Sequence, residues 1–245
     1  MAVPIKPIAG VTLEPSELEG IARVVVDDAS AKMDLPWDRF VRLKRAAEAV
    51  IQTSSATILD AGGYDGAIAF FLQGASVDVI DPATTGGSVL GIQAADRSYD
   101  AVVAVDVLEH IEPRSRTRAL SEFARVARKH VILNYPCRES TEAQELVLKH
   151  TNNPLVREHV EWELPDSDWV LEELAKFGYE GNVTPHTSIA VWLGQYMTLN
   201  LVPEAAKDLN RHLVKHYADE PTGTPLYHLV VCERTELEVP TDGSK

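Results

Sequence analysis

The apolar run Thr57–Ala61 ends in a glycine-rich stretch, Asp60-Ala61-Gly62-Gly63-Tyr64-Asp65-Gly66, and a second apolar segment, Ile68–Leu72, follows at once. Few folds accommodate such a sequence. Glycines at a strand-to-helix turn supply positive φ and let the backbone approach a ligand, and the first turn of the helix offers N–H donors with no partner of their own. A tight connection that binds nothing has the same composition, so the stretch needs support from its surroundings.

That support comes from the alternation around it. Ser76–Ile80 reads as a second strand, and Ala101–Val107 (AVVAVDV) is a continuous apolar run of the kind buried on both faces of a parallel sheet. A helix placing Leu120, Phe123, Ala124 and Ala127 on one stripe comes next, then a strand at Val131–Leu133. Strands separated by helices predict an α/β fold: a Rossmann-like, doubly wound, mainly parallel sheet of about seven strands with helical insertions. Residues 1–52 read as an N-terminal helical cover, with Phe40, Leu43, Ala47, Val50 and Ile51 on one face. Residues 53–137 form the cofactor-binding core. Residues 138–235 complete the sheet and add lid helices: one starts at an N-cap Ser167 and stops at Gly178, two more lie at 187–200 and 203–217, and Leu226–Val231 is a last strand. The polar stretch 236–245 reads as a flexible tail.

Acidic residues stand at the ends of the predicted strands. Asp81 closes the second, where a carboxylate meets the hydroxyls of a bound ribose, and Asp106 lies near the end of the third. In open α/β sheets ligands sit at the carboxyl ends of the strands, so Asp60, Asp81 and Asp106 converge on one crevice. The Asp60, Gly62, Gly66 spacing, DxGxxxG, differs from the GxGxxG dinucleotide fingerprint and disfavours a nucleotide-dependent oxidoreductase.

ILDAGGYDG, the acidic end of VDVIDP, and YDAVVAVDVLEHI together resemble the cofactor-binding signatures of class I S-adenosylmethionine-dependent methyltransferases, small-molecule type. The likeness covers residues 40–137. A weaker likeness in Arg157–Pro165 and Pro225–Val230 points to the group associated with polysaccharide biosynthesis. The resemblance implies S-adenosyl-L-methionine as cofactor, held by Asp60, Gly62, Gly63, Tyr64, Gly66, Asp81, Pro82, Gln93, Asp106 and Val107. Tyr64 replaces the family's middle glycine. The acid that holds the adenine amino group, which in the family follows the third strand, is not evident, and the short segment Gly91–Asp96 leaves Gln93 or Asp96 in its place. Asp60 either orients the glycine loop through backbone N–H groups or meets the methionine amine. A methyltransferase-like binding protein without catalysis is the alternative.

The acceptor side is less legible. Methyl transfer to a hydroxyl oxygen of a small molecule or glycan needs a base if the acceptor arrives protonated, and His110, His159 and His186 are the candidates, in that order. Glu161, Trp192 and Tyr196 are expected around the same cavity. A formal net charge of −14 repels nucleic acid, and the basic run Arg114–Lys129 alternates with apolar positions as a solvated helix face does. The two cysteines, Cys137 and Cys232, form no CxxC or Cys/His cluster, so neither a disulfide nor a metal site is expected. With neither an N-terminal signal pattern nor a membrane-length apolar run, the expectation is a cytoplasmic protein without integral membrane association, compatible with a homodimer.

Overall fold

The computed structural model describes residues 8–219 and 223–235. Eight strands form one mixed sheet: β1 (Val11–Pro15), β2 (Ala22–Val26), β3 (Thr57–Ala61), β4 (Ser76–Ile80), β5 (Tyr99–Val105), β6 (Ala127–Pro136), β7 (Tyr179–Ser188) and β8 (Pro225–Arg234), in spatial order β1-β2-β4-β3-β5-β6-β8-β7. The centre, β4-β3-β5-β6, is parallel, and β2 and β8 flank it antiparallel. The count is therefore eight against an expected seven.

The helices are α1 (Trp37–Gln52), α2 (Pro113–Val126), α3 (Thr141–Thr151), α4 (Pro154–Glu161), α5 (Ser167–Lys176), α6 (Ile189–Leu201) and α7 (Pro203–His216). Alternate strand residues feed two cores. Ile58, Val103, Val105 and Ile132 pack with residues of α1, α3, α6 and α7, while Leu59, Val102, Ala104, Val131 and Leu133 pack with α2 and α5. Burial on both faces explains why β5 is apolar from Ala101 to Val105.

Three features depart from the expected layout. The N-terminal segment is not only helical: β1 and β2 form a hairpin that extends the sheet beyond β4. The segment after the glycine loop is a five-residue 3-10 turn, Ala67–Phe71, and not a long helix. Residues 81–98 run from β4 to β5 without a strand, and the antiparallel β2 occupies the place beside β4. At α5 the N-cap is Asp166, whose carboxylate accepts from the Trp169 N–H, and Ser167 is the first helical residue. The tail 236–245 lies outside the described residues. Among those described, no helix is long and apolar enough to cross a membrane.

The basic run is not a solvated face throughout. Arg116 is buried and donates to the carbonyls of Leu108, Ile111, Trp162 and Glu163, tying α2 to the loops beneath it. Arg125 likewise binds the carbonyls of Ile92 and Ala94 and the carboxylates of Glu122 and Asp96. These arginines staple loops whose carbonyls have no ladder partner.

Candidate active site

The glycine loop is held from below by the protein itself. Gly62 (φ +79°) faces Val107, and a Cβ there would stand 2.6 Å from its methyl. A Cβ at Gly63 would overlap the Asp60 carboxylate, and one at Gly66 (φ +71°) would meet Val24 of β2 at 2.5 Å. Glycine is thus required for close packing at all three positions, whatever binds above. Tyr64 occupies the left-handed region (φ 55°) in place of a glycine, and its carbonyl accepts from the Thr84 hydroxyl at 2.5 Å. This bond fastens the loop to the segment after β4.

Asp60 is buried, and neither carboxylate oxygen has a partner among the described residues. No backbone N–H group of the loop among the described residues holds it. Burial, with Asp65 nearby, pushes its pKa up to about 7. An ammonium group beside it would favour the ionised form. Binding of an aminoacyl ligand therefore releases a proton below pH 7, and affinity is expected to fall by up to tenfold per pH unit there. Calorimetric titration between pH 5.5 and 8 checks this: Asp60→Asn should bind more weakly and flatten the dependence, and a flat profile in the unaltered protein would remove Asp60 from the site.

Asp81 is also buried. Its Oδ1 accepts from the Ala83 N–H at 2.8 Å, and no protein donor meets its Oδ2 among the described residues. Pro82 beside it is exposed. Gln93 is exposed, with its amide on the Gly91 carbonyl. Asp96 pairs with Arg125 at 2.8 Å near the start of β5, at the opposite edge of the sheet. Asp96 is thereby ruled out as an adenine contact, and Gln93 is not brought to the strand ends.

The end of β5 gathers several buried polar groups. Asp106 takes a positive φ (56°), its N–H donates to the Asn134 carbonyl, and its Oδ2 meets the Arg42 Nε at 2.6 Å. Arg42 also donates to the Tyr227 hydroxyl at 2.8 Å. One turn earlier on α1, Arg39 grips Asp65 of the glycine loop with both guanidinium nitrogens. These two arginines, absent from the sequence reading, fix α1 across the strand ends. Their i, i+3 spacing just upstream of the glycine loop was the available signal.

Six buried oxygens without a partner among the described residues belong to Asp60, Asp106, Glu109 and Asn134, all at or just beyond the carboxyl ends of β3, β5 and β6. A row of unpaired acceptors is costly unless a donor-rich ligand completes it. The ammonium group and ribose hydroxyls of S-adenosylmethionine are such donors, so the residues present fit it.

Next to this row, His110 Nδ1 lies 2.7 Å from Glu158 Oε2, and His110 Nε2 lies 3.3 Å from His159 Nε2, whose Nδ1 is 3.2 Å from Gln144 Oε1. Burial and the neighbouring His110 lower the His159 pKa to about 3. Burial opposes the charge on His110, but Glu158, Glu109 and Asp106 raise its pKa on balance. His186 stands apart. Its Nε2 accepts from Asn134 at 2.6 Å and its Nδ1 meets Thr187 at 2.9 Å, so both nitrogens are engaged. Glu161 is exposed and pairs with Arg157, and Glu158 takes the inward position instead. Tyr196 receives a hydrogen bond from Asn153 and its ring lies 5.2 Å from Trp192.

A parallel centre, the antiparallel pair β8-β7 at one edge and an acid-lined glycine loop after the first parallel strand make a Rossmann-like α/β fold. Residues 59–133 match the family model described as a methyltransferase domain. No curated protein matches the chain. Among solved structures, the plantazolicin methyltransferase BpumL in complex with SAH is similar, with a TM-score of 0.54 and 12% identity over 84% of this chain and 89% of that one. A protein from Galdieria sulphuraria described as a sarcosine dimethylglycine methyltransferase gives a TM-score of 0.51 and 13% identity over 81% and 87%. A methyltransferase from an antibiotic biosynthesis pathway of Anabaena variabilis gives 0.50 and 13% over 80% and 99%. At these identities the likeness is one of fold.

Proposed function

We propose that the chain transfers the methyl group of S-adenosylmethionine to a hydroxyl oxygen of a small molecule or sugar. Bound at the strand ends, the donor supplies a methyl on a sulfonium, already a good leaving group, so the residues here have mainly to align, exclude water and manage a proton. On this reading Asp60 receives the methionine ammonium, Asp81 the ribose hydroxyls, and Val107 supports the loop beneath. Gly62, Gly63 and Gly66 let the loop lie flat, and Tyr64 covers it.

The observation that carries the acceptor assignment is the His110–His159 pair, with the buried Glu109 beside it, roofed by α3 and α4. Among the described residues, these two imidazoles lie at the strand ends with their Nε2 atoms facing each other. His186 serves as a positioning residue for Asn134. Trp192, Tyr196 and Tyr227 give the neighbourhood an aromatic character suited to an uncharged or weakly polar acceptor, and the weaker sequence likeness favours a glycan or its precursor.

The test is methyl transfer from donor labelled in its methyl group to a panel of hydroxylated metabolites and nucleotide-linked or free sugars, with the product's carbon shifts read by NMR. A label appearing as an O-methyl signal supports the reading. Label appearing only on nitrogen or carbon would overturn the assignment to oxygen and leave methyl transfer itself intact.

A further inference from the structure

The histidine pair contains a conflict of hydrogen-bonding capacity. Glu158 and Gln144 place oxygen acceptors on the two Nδ1 atoms, which puts the ring protons there. With both rings neutral, the two Nε2 lone pairs then point at each other across 3.3 Å. Glu109 adds to the conflict. It is 0% exposed, and both of its carboxylate oxygens lack a hydrogen-bond partner among the described residues. A buried, unpaired carboxylate is among the most expensive groups a protein can hold. Arg116, the cation on the far side of Leu108, donates to four backbone carbonyls.

One ligand resolves both problems. We infer that Glu109, His110 Nε2 and His159 Nε2 bind a divalent transition-metal ion, of the zinc, cobalt or manganese type, at the acceptor side of the methyl-transfer site. The geometry suits it. Two imidazole nitrogens each ~2.0–2.1 Å from a tetrahedral ion stand about 3.3–3.4 Å apart, and here they are 3.3 Å apart. The potential ligand atoms of Glu109, His110 and His159 all lie within 4.8 Å of one another. Each histidine donates its other ring N–H to an oxygen, the outer-shell arrangement that orients metal-bound imidazoles. Two histidines and one carboxylate leave at least one coordination position open, as in catalytic rather than structural sites. That position takes water or an acceptor oxygen, a role that rests on the methyl-transfer reading; ion binding itself does not. The expectation of no metal rested on the two isolated cysteines, whereas His110 and His159 lie 49 residues apart and form no spaced motif.

Two other clusters compete for metal. His212 and His216 stack on the exposed face of α7, and Cys137, Glu139 and His228 gather near the start of β8. The experiment therefore uses the full-length chain carrying His212→Gln and His216→Gln, stripped with a chelator and titrated with Co²⁺, Zn²⁺ and Mn²⁺ without donor or acceptor. Calorimetry reads the stoichiometry and the visible absorption of Co²⁺ reads the ligand set. The expected result is one ion per chain, weakened at least 100-fold by Glu109→Gln or His159→Gln and about 10–100-fold by Glu158→Gln, with Cys137→Ser without effect. Glu158 is only half-buried, so its variant reports on the site even if Glu109→Gln does not fold. Absence of saturable binding by all three ions, or binding that survives the Glu109, His159 and Glu158 substitutions, would overturn the inference. Binding of S-adenosylmethionine is measured separately on the same stripped protein, so loss of either reading is visible without the other.

Discussion

Gly63→Ala is expected to weaken S-adenosylmethionine binding at least a hundredfold, about 2.7 kcal/mol, although alanine adds only one methyl group. The added Cβ would fall on the Asp60 carboxylate, which lies against the Gly63 backbone. Asp60 must then rotate away, and its displaced charge loses the position in which the ligand's ammonium would neutralise it. Gly62→Ala acts differently, through its left-handed backbone and the Val107 methyl. Gly91→Ala is the control, because a Cβ there meets nothing within 4 Å. Calorimetry on the three variants checks the order. A Gly63→Ala protein with unaltered affinity would show that the loop does not carry the donor.

Removal of the His110 imidazole is expected to lower turnover by ~10²–10⁴ while leaving donor affinity within about threefold. The ring sits just beyond Asp106, its Nδ1 fixed by Glu158 and its Nε2 aimed at His159. Either way of handling the acceptor proton, directly or through an ion, passes through that nitrogen. The pH profile separates this from a merely structural role: His110→Ala should lose the acidic limb of the turnover curve, and a simply less stable enzyme would keep its shape. Turnover reduced less than tenfold, with the limb intact, would move the acceptor chemistry away from this pair.

Legibility in the sequence followed burial and locality. β3, β4, β5 and β6 are buried on both faces, so their apolar runs stand out, and the glycine loop and the Asp81 and Asp106 ends are local patterns. β7 was missed because it is an edge strand: YEGNVTPHTS carries Pro185, Gly181 and a half-polar face that a central strand could not tolerate. The hairpin of β1 and β2 was missed for a related reason, since β1 forms the other edge and buries little. The adenine-side acid follows the third strand in the family, but here residues 81–98 have no strand end to present it, and the antiparallel β2 lies beside β4.

The site was legible residue by residue but not as an assembly. Asp60, Asp81, Asp106 and His110 could each be named from a motif. That Arg39 and Arg42 would span the strand ends, that Glu109 would be wholly buried, and that His110 would face His159 depend on how α1 and α4 dock. His186 shows the converse. It was named for its residue type, and the fold uses its lone pair on Asn134. Hydrogen-bond partners, which decide whether a histidine is a base, are tertiary facts.

The central claim is that the carboxyl edge of this sheet is a methyl-donor site. Calorimetric titration of the full-length protein with S-adenosylmethionine, S-adenosylhomocysteine and NAD at pH 7.5 tests it most directly. The account predicts one site per chain for the first two, with dissociation constants in the range of about 1 μM to 1 mM typical of enzyme substrates, and no saturable binding of NAD. Saturable NAD binding, or no binding of either methionine-derived ligand, would contradict it.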